Sequence, residues 1–312
     1  MTQRLIKPKA LPRNGTIGII SPSSPMRDDT SLDAGIRYLE SLGYRVKLGA
    51  YVGSSAAYLA GSDEARAADV ESMFADPSVD AIFCTRGGYG VMRFLASLDY
   101  RRIARNPKIL VGFSDVTALN AALYRRARMM NFSGAMVGVD MKDFDGESEE
   151  QFWRMITSTK KIGIVRQSMR TTGLRPGTAR GPLVCGNLSM LAALQGSRFA
   201  PETKDALLLT EDIGEESYRI DRLLCQLELS GCLSRSAALL FGQFTMDPRR
   251  VTSTAVRPVM EVLREYADRA AKPAVADIMY GHTAKKLTLP FGLTMEVNTR
   301  SGVLRCAESA VV

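Results

Sequence analysis

The first half of the chain is a succession of short apolar runs separated by amphipathic stretches. Thr16 to Ile20 predicts a strand that ends in the turn Ser21-Pro22-Ser23-Ser24-Pro25. Leu32, Ile36, Leu39 and Leu42 then recur at helical spacing, and Gly43 stops that helix. Val46 to Leu48 predicts the next strand, and Ala65 to Phe74 the next helix, ended by Asp76-Pro77. Ala81 to Cys84 is apolar throughout, as in a parallel sheet covered on both faces, and it breaks at Arg86-Gly87-Gly88-Tyr89-Gly90. Ile109 to Phe113 is a second such strand, with a helix predicted over Asp115 to Arg126 directly after it. Strands alternating with helices in this way predict a doubly wound α/β layer, whose ligands sit at the carboxyl ends of the strands.

A helix around Glu149 to Ile156 closes this half. The following stretch, Thr157 to Arg180, is rich in Ser, Thr, Gly, Lys and Arg and reads as a linker or mobile crossover. Beyond it, Ala206 to Thr210 and Ala238 to Phe244 predict strands, and Tyr218 to Leu229 and Val256 to Ala267 predict helices. Leu287 to Val297 reads as a terminal hairpin-like β segment. The expected domains are therefore 1–156, carrying an exposed serine, and 181–312, joined through 157–180, as suits a chain of 312 residues.

Composition narrows the class. A chain that is 46% apolar, 24% charged and 7% aromatic is neither disordered, collagen-like nor a coiled coil. Lys and Arg number 41 against 33 Asp and Glu, a net charge of +8, with a pI near 9.3. Basic fragments such as Tyr124-Arg125-Arg126-Ala127-Arg128 are short, without aromatic interleaving or zinc-finger spacing. The excess thus reads as a solvated basic face, or as a match for a small anionic substrate, and no nucleic-acid partner is expected. Five cysteines form no CxxC pair, which predicts reduced, buried thiols. The first residues carry charge but no apolar signal core, and no run approaches about 18 apolar residues, so a cytoplasmic protein without membrane contact is expected.

The chain has one histidine, His282. That excludes a multi-histidine metal site and leaves one position for any imidazole base. It sits in Tyr280-Gly281-His282-Thr283, at a strand end or loop. A nucleophile candidate lies in Gly112-Phe113-Ser114-Asp115, between a buried strand and a helix, where a hydroxyl is pushed out of the sheet edge beside helix N-terminal N–H groups. The motif is not G-x-S-x-G, since Val116 follows Asp115, and Ser114 or Asp115 would serve equally as a helix cap. An imidazole needs a carboxylate to fix its tautomer, and Glu211, Asp212, Glu215 and Glu216 all lie at or beyond one strand end; spacing does not choose among them.

Taken together, these segments resemble the LD-carboxypeptidases, a serine peptidase family that also includes the microcin-immunity hydrolases. The resemblance is carried, in order over about 270 residues, by Gly18-Ile19-Ile20-Ser21-Pro22-Ser23, Arg86-Gly87-Gly88-Tyr89-Gly90 and Gly112 to Leu119. Ser133-Gly134-Ala135-Met136, Cys185-Gly186-Asn187-Leu188, Glu211 to Glu215 with Tyr218 to Arg222, and Gly281-His282 complete it. It implies an α/β protein of two domains: an N-terminal flavodoxin-like, mostly parallel sheet, a smaller C-terminal domain of swivelling type, and the active site between them.

By that resemblance the catalytic residues are Ser114, Glu211 and His282, and the oxyanion hole is the backbone N–H of Asp115 and of Gly88, with Gly87 as the alternative. Weaker substrate-binding candidates are Arg86, Gly87, Tyr89 and Asn187. Cys185 stands where the family has glycine, and Arg86 either positions a substrate carboxylate or pairs with an internal acid. The implied activity is a serine carboxypeptidase, without metal or cofactor, that releases the terminal D-Ala from cytoplasmic tetrapeptide muropeptides in peptidoglycan recycling, acting as a homodimer. One rival is an immunity-type hydrolase of peptidyl-nucleotide antibiotics, for which Met246 to Thr254 is the only candidate nucleotide loop and Trp153 the only tryptophan. Another is a non-catalytic peptide-binding protein of the same fold. A dinucleotide-binding dehydrogenase is disfavoured, because no G-x-G-x-x-G follows the first strand.

Overall fold

A computed structural model of the chain describes residues 5–246 and 257–312. Of the candidate nucleotide loop only Met246 is among them; positions 247–254 lie outside the described residues, as does Val256.

Two sheets organise the molecule. The first contains β1 (Thr16–Ile20), β2 (Arg45–Leu48), β3 (Ala81–Cys84), β4 (Ile109–Gly112) and β5 (Asn131–Ser133), in parallel and in the order 2-1-3-4-5. That is the flavodoxin-like order of a doubly wound sheet. β1, β3 and β4 are buried along their whole length, because helices cover both faces, and this is why they read as unbroken apolar runs. The helices of this half are α1 (Asp29–Ser41), α2 (Asp63–Ala75), α3 (Val91–Phe94), α4 (Tyr100–Arg105), α5 (Thr117–Ala122) and α6 (Gly146–Thr157). Asp28 caps α1 by accepting from Ser31 N–H, and Ser62 caps α2 by accepting from Ala65 N–H. Phe83, Phe152 and Phe132 are fully buried in this core, each stabilising the fold by about 1.5–3 kcal/mol relative to exposure.

The second sheet has a parallel centre of β8 (Thr178–Asn187), β9 (Leu207–Ile213), β10 (Ala238–Thr245) and β11 (Ala274–Ala276). Antiparallel strands flank it: β7 (Thr172–Arg175) beside β11, and β13 (Thr294–Asn298), β14 (Val303–Cys306) and β6 (Gly163–Val165) beyond β8. Helices α7 (Leu188–Ala193), α8 (Ser217–Leu229), α9 (Cys232–Arg235) and α10 (Val259–Ala270) belong to this half.

Three segments differ from expectation. Residues 157–180 are not a mobile linker: they contain β6 and β7, at opposite edges of the second sheet, and the start of β8. Edge strands pair on one side only and tolerate polar residues, so their apolar signal is weak. Leu287 to Val297 is not one hairpin. Its first part, β12 (Leu289–Phe291), joins the first sheet antiparallel to β5, and the chain then turns at Gly292, φ +90°, into β13, whose hairpin partner is β14. Finally, the segment Asp115 to Arg126 is not one α-helix but a 3-10 turn over Ser114–Val116, then α5, then a π turn over Leu123–Ala127. Because β12 crosses into the first sheet, the two halves are tied together beyond their sequence boundary.

Candidate active site

Ser114 follows β4 with φ +63°, a left-handed backbone conformation uncommon outside glycine. Such strain at a strand-to-helix turn presents the hydroxyl above the sheet edge. The turn after β3 is pressed against it. A Cβ on Gly87 would lie 2.7 Å from Ser114 Cβ and 3.1 Å from its Oγ, so only glycine permits this approach. Gly88 has φ +123°, and a Cβ there would meet Ser24 Oγ at 2.3 Å. That Ser24 hydroxyl accepts from Tyr89 N–H at 3.1 Å, which fixes the turn from its other side.

Asp115 directs its carboxylate inward and accepts from Val91 N–H at 3.0 Å. Burial pushes its pKa up, opposed by backbone donors at Val91 and Gly90 and by the nearby Arg66 charge. The buried Arg66 guanidinium pairs with Asp63 at the start of α2 and donates to Pro22 carbonyl, tying α2 to the turn after β1. The Asp115 side chain is therefore structural.

His282 lies on the segment that leaves β11 in the second sheet and reaches β12 in the first. Its Nδ1 is 2.7 Å from Glu211 Oε2, and its Nε2 is 3.0 Å from Ser114 Oγ. A proton on Nδ1 donated to the carboxylate leaves Nε2 to accept the Ser114 hydroxyl proton. The imidazole packs on Phe113, ring centroids 4.9 Å apart.

Glu211 projects from β9 and is fully buried. Burial pushes its pKa up and Asp212 adds to that, whereas the bond and charge of His282 and the Asn187 amide pull it down. Of the four acids open to the sequence, Glu211 is the one bonded to the imidazole. Glu215 instead pairs with Arg219 at 3.6 Å.

The Asn187 side chain is engaged within the chain. Its Nδ2 donates to Glu211 Oε1 at 3.3 Å and to Asp212 Oδ1 at 2.9 Å, while its Oδ1 accepts from Met190 N–H and caps α7. Asp212 Oδ2 in turn accepts from Ser189 N–H and Oγ, at 2.9 and 2.7 Å. This network orients Glu211 from behind, and sequence reading missed Asp212 and Ser189 as its members. β8 runs unbroken through Cys185 to Asn187, so cysteine in place of the family's glycine leaves the strand intact.

The remaining candidates sit at the rim. Tyr89 is half exposed, its ring edge-on to Tyr58 at 5.6 Å. Arg86 is half-buried and donates to Pro25 carbonyl at 3.0 Å. Among the described residues no carboxylate lies within 4.0 Å of it. Burial, aided by the Arg27 charge, pushes its pKa down.

A family model described as the LD-carboxypeptidase N-terminal domain matches residues 17–134, and one described as the LD-carboxypeptidase C-terminal domain matches residues 180–297. A probable murein peptide carboxypeptidase of Bacillus subtilis (strain 168) is 36% identical over 297 residues, covering 94% of this chain and 92% of that protein. The murein tetrapeptide carboxypeptidase of Pseudomonas aeruginosa is 30% identical over 291 residues, covering 91% and 93%. Among solved structures, a muramoyltetrapeptide carboxypeptidase from Oxalobacter formigenes superposes with a TM-score of 0.80 at 30% identity over 93% of this chain and 97% of that one. A microcin C7 self-immunity protein superposes at 0.90 over 98% and 99%; at 24% identity this likeness is one of fold.

Proposed function

The chain belongs to the LD-carboxypeptidase family, and from that premise we propose that it is a serine carboxypeptidase that hydrolyses the amide between an L-configured centre and a terminal D-Ala of tetrapeptide muropeptides. The observation that carries this reading is the continuous chain of hydrogen bonds Ser114–His282–Glu211, which joins the two sheets. Ser114 Oγ attacks the scissile carbonyl as His282 Nε2 takes its proton. The tetrahedral oxyanion is held by the backbone N–H of Asp115 and of Gly88, with Gly87 the alternative to Gly88. The C–N bond then breaks as His282 returns the proton to the amine of D-Ala. Water, deprotonated by the same imidazole, opens the acyl-enzyme and restores Ser114. Glu211 holds the Nδ1 tautomer throughout, and no step requires a metal or cofactor.

Arg86, with no carboxylate beside it among the described residues and lying one residue from Gly87, is suited to the substrate's terminal carboxylate. Five free cysteines, four of them buried, support a reducing compartment, for which we propose the cytoplasm and a place in peptidoglycan recycling. No helix among the described residues is long and apolar enough to cross a membrane. A homodimer is the expected assembly. Of the expected segments, 1–156 carries Ser114 and 181–312 carries Glu211 and His282.

The test is incubation with L-Ala-γ-D-Glu-meso-diaminopimelate-D-Ala and detection of free D-Ala; none at micromolar enzyme would overturn the proposal. The immunity-type alternative predicts hydrolysis of an aminoacyl sulfamoyl nucleoside instead. Trp153 does not favour it, since that ring is stacked on Tyr44 at 5.1 Å and donates to Tyr38 Oη at 2.7 Å. A non-catalytic protein of this fold would bind the tetrapeptide without turnover.

A further inference from the structure

The segment carrying His282 is closed at its base and stitched to the opposite domain. Leu287 N–H donates to Met279 carbonyl at 2.7 Å, so His282 lies within a loop. On the returning arm, Lys286 N–H donates to Ser148 Oγ of α6 at 3.0 Å. Gln151 accepts from Thr288 N–H at 2.8 Å and donates to Thr288 carbonyl at 2.7 Å.

The Lys286 ammonium is buried against Asp140, 2.7 Å away, and both side chains are at most 10% exposed. Asp140 uses its second oxygen to accept from Met136 N–H at 2.8 Å. The ammonium also stands 5.0 Å from the centroid of the Phe113 ring, the same ring that packs on His282 at 4.9 Å. The charge therefore lies within about 10 Å of the imidazole, and both groups contact the same Phe113 ring. Lysine is almost never buried without a partner, and a buried ion pair contributes little net stability once desolvation is counted. Stability alone does not account for this pair.

We propose that Lys286 and Asp140 form a positioning pair for His282. The ammonium ties the returning arm of the histidine loop to the Ser114 domain. Asp140 offsets that charge, so that the imidazolium formed during attack remains accessible. Lys286 touches neither substrate nor reacting atoms; it acts through Phe113 and the loop. Among the described residues the other ionisable groups around this site include Glu211 and Asp212 from β9, Cys185 from β8, Tyr280 and Lys285 from the histidine loop, and Asp115 beside Ser114. None of them is altered by substitution of the pair. The inference rests on His282 being the base.

Because His282 is the only histidine, its ring proton resonance is assigned without ambiguity, and its titration is read by proton NMR whether or not the enzyme turns over. Lys286→Met leaves Asp140 uncompensated and is expected to move the midpoint up. Asp140→Asn leaves the ammonium uncompensated and is expected to move it down. Each shift is on the order of one pH unit for a charge about 10 Å away at an effective dielectric of about 20. Lys286→Arg keeps the charge and should hold the midpoint near that of the wild type. In D-Ala release, the acid limb of kcat/KM should move with the midpoint.

Shifts in the same direction, or none despite lowered stability, would mean that the pair is scaffold only and would overturn the inference. Should Lys286→Met not fold, Asp140→Asn decides by itself: a downward shift supports the pair, and an unmoved or raised midpoint overturns it. Failure of wild-type protein to release D-Ala would count against the proposed function and leave the NMR test intact.

Discussion

Gly87 and Ser114 are packed so closely that a single methyl group on the former would sit 2.7 Å from the Cβ of the latter. The turn after β3 is thereby held to the nucleophile by the absence of a side chain. Gly87→Ala must displace either the turn or Ser114 by several tenths of an ångström. A misplacement of about 1 Å at a reacting centre costs on the order of 10²-fold in rate, so a shift of several tenths is expected to cost roughly 10-fold. The expected outcome is a folded variant with an unchanged circular dichroism spectrum and kcat reduced by about that factor. A variant with wild-type kcat would show that this contact does not position Ser114.

Ser114 stores backbone strain at φ +63°. A glycine there relaxes the strain, whereas alanine retains it, so Ser114→Gly should be more stable than Ser114→Ala by about 1 kcal/mol in urea unfolding. Both should lose D-Ala release while still binding the tetrapeptide. Turnover in either variant at more than a small fraction of wild type would remove Ser114 as the nucleophile.

Glu211 presents the opposite trade. Its carboxylate is held at a raised pKa chiefly by burial, so the charged form is disfavoured in the fold relative to the unfolded chain. For a carboxyl group raised in this way, stability is lower above the folded-state pKa and recovers as the pH falls through it. Glu211→Gln removes that pH dependence and should be more stable than wild type at pH 7, the difference narrowing as the pH is lowered. Activity should fall by on the order of 10⁴, because an amide in place of the carboxylate favours the wrong imidazole tautomer. Thermal melts at pH 7 and pH 5, set beside rates of D-Ala release, check both halves; a Gln variant less stable at pH 7 would show that the bonds from His282 and Asn187 outweigh burial.

How far the sequence reveals these relationships depends on what each residue touches. β1, β3 and β4 are legible because strands covered on both faces must be apolar throughout. β6 and β7 are not, since Gly163, Thr172 and Arg175 lie on sheet edges where solvent satisfies half the backbone. Nothing local marks Leu289–Phe291 as belonging to the first sheet, because its partner Asn131–Ser133 is distant in sequence. His282 stands out because it has no competitor in the chain. Glu211 is one acid of four until the resemblance singles it out, and Asn187, a weaker substrate-binding candidate, bridges two carboxylates. A hydrogen-bonding side chain next to a catalytic group looks the same in sequence whether it faces substrate or scaffold.

Arg86 offers the sharpest test of what makes this site a carboxypeptidase. An enzyme that removes one terminal residue must recognise the free carboxylate of that residue, just beyond the scissile amide, and a cation is the group to do so. Arg86 is held by Pro25 carbonyl and, among the described residues, meets no carboxylate of the chain. Its neighbour Arg27 adds like charge, which favours a bound anion beside them. With a tetrapeptide ending in D-Ala and the same peptide ending in D-Ala amide, wild type should strongly prefer the free acid. Arg86→Met should raise KM for the acid by about 10- to 100-fold, the loss of one charge-assisted contact of about 1.5–3 kcal/mol, while changing the amide little. If both substrates lose equally, Arg86 shapes the turn before Gly87 and the carboxylate is read elsewhere.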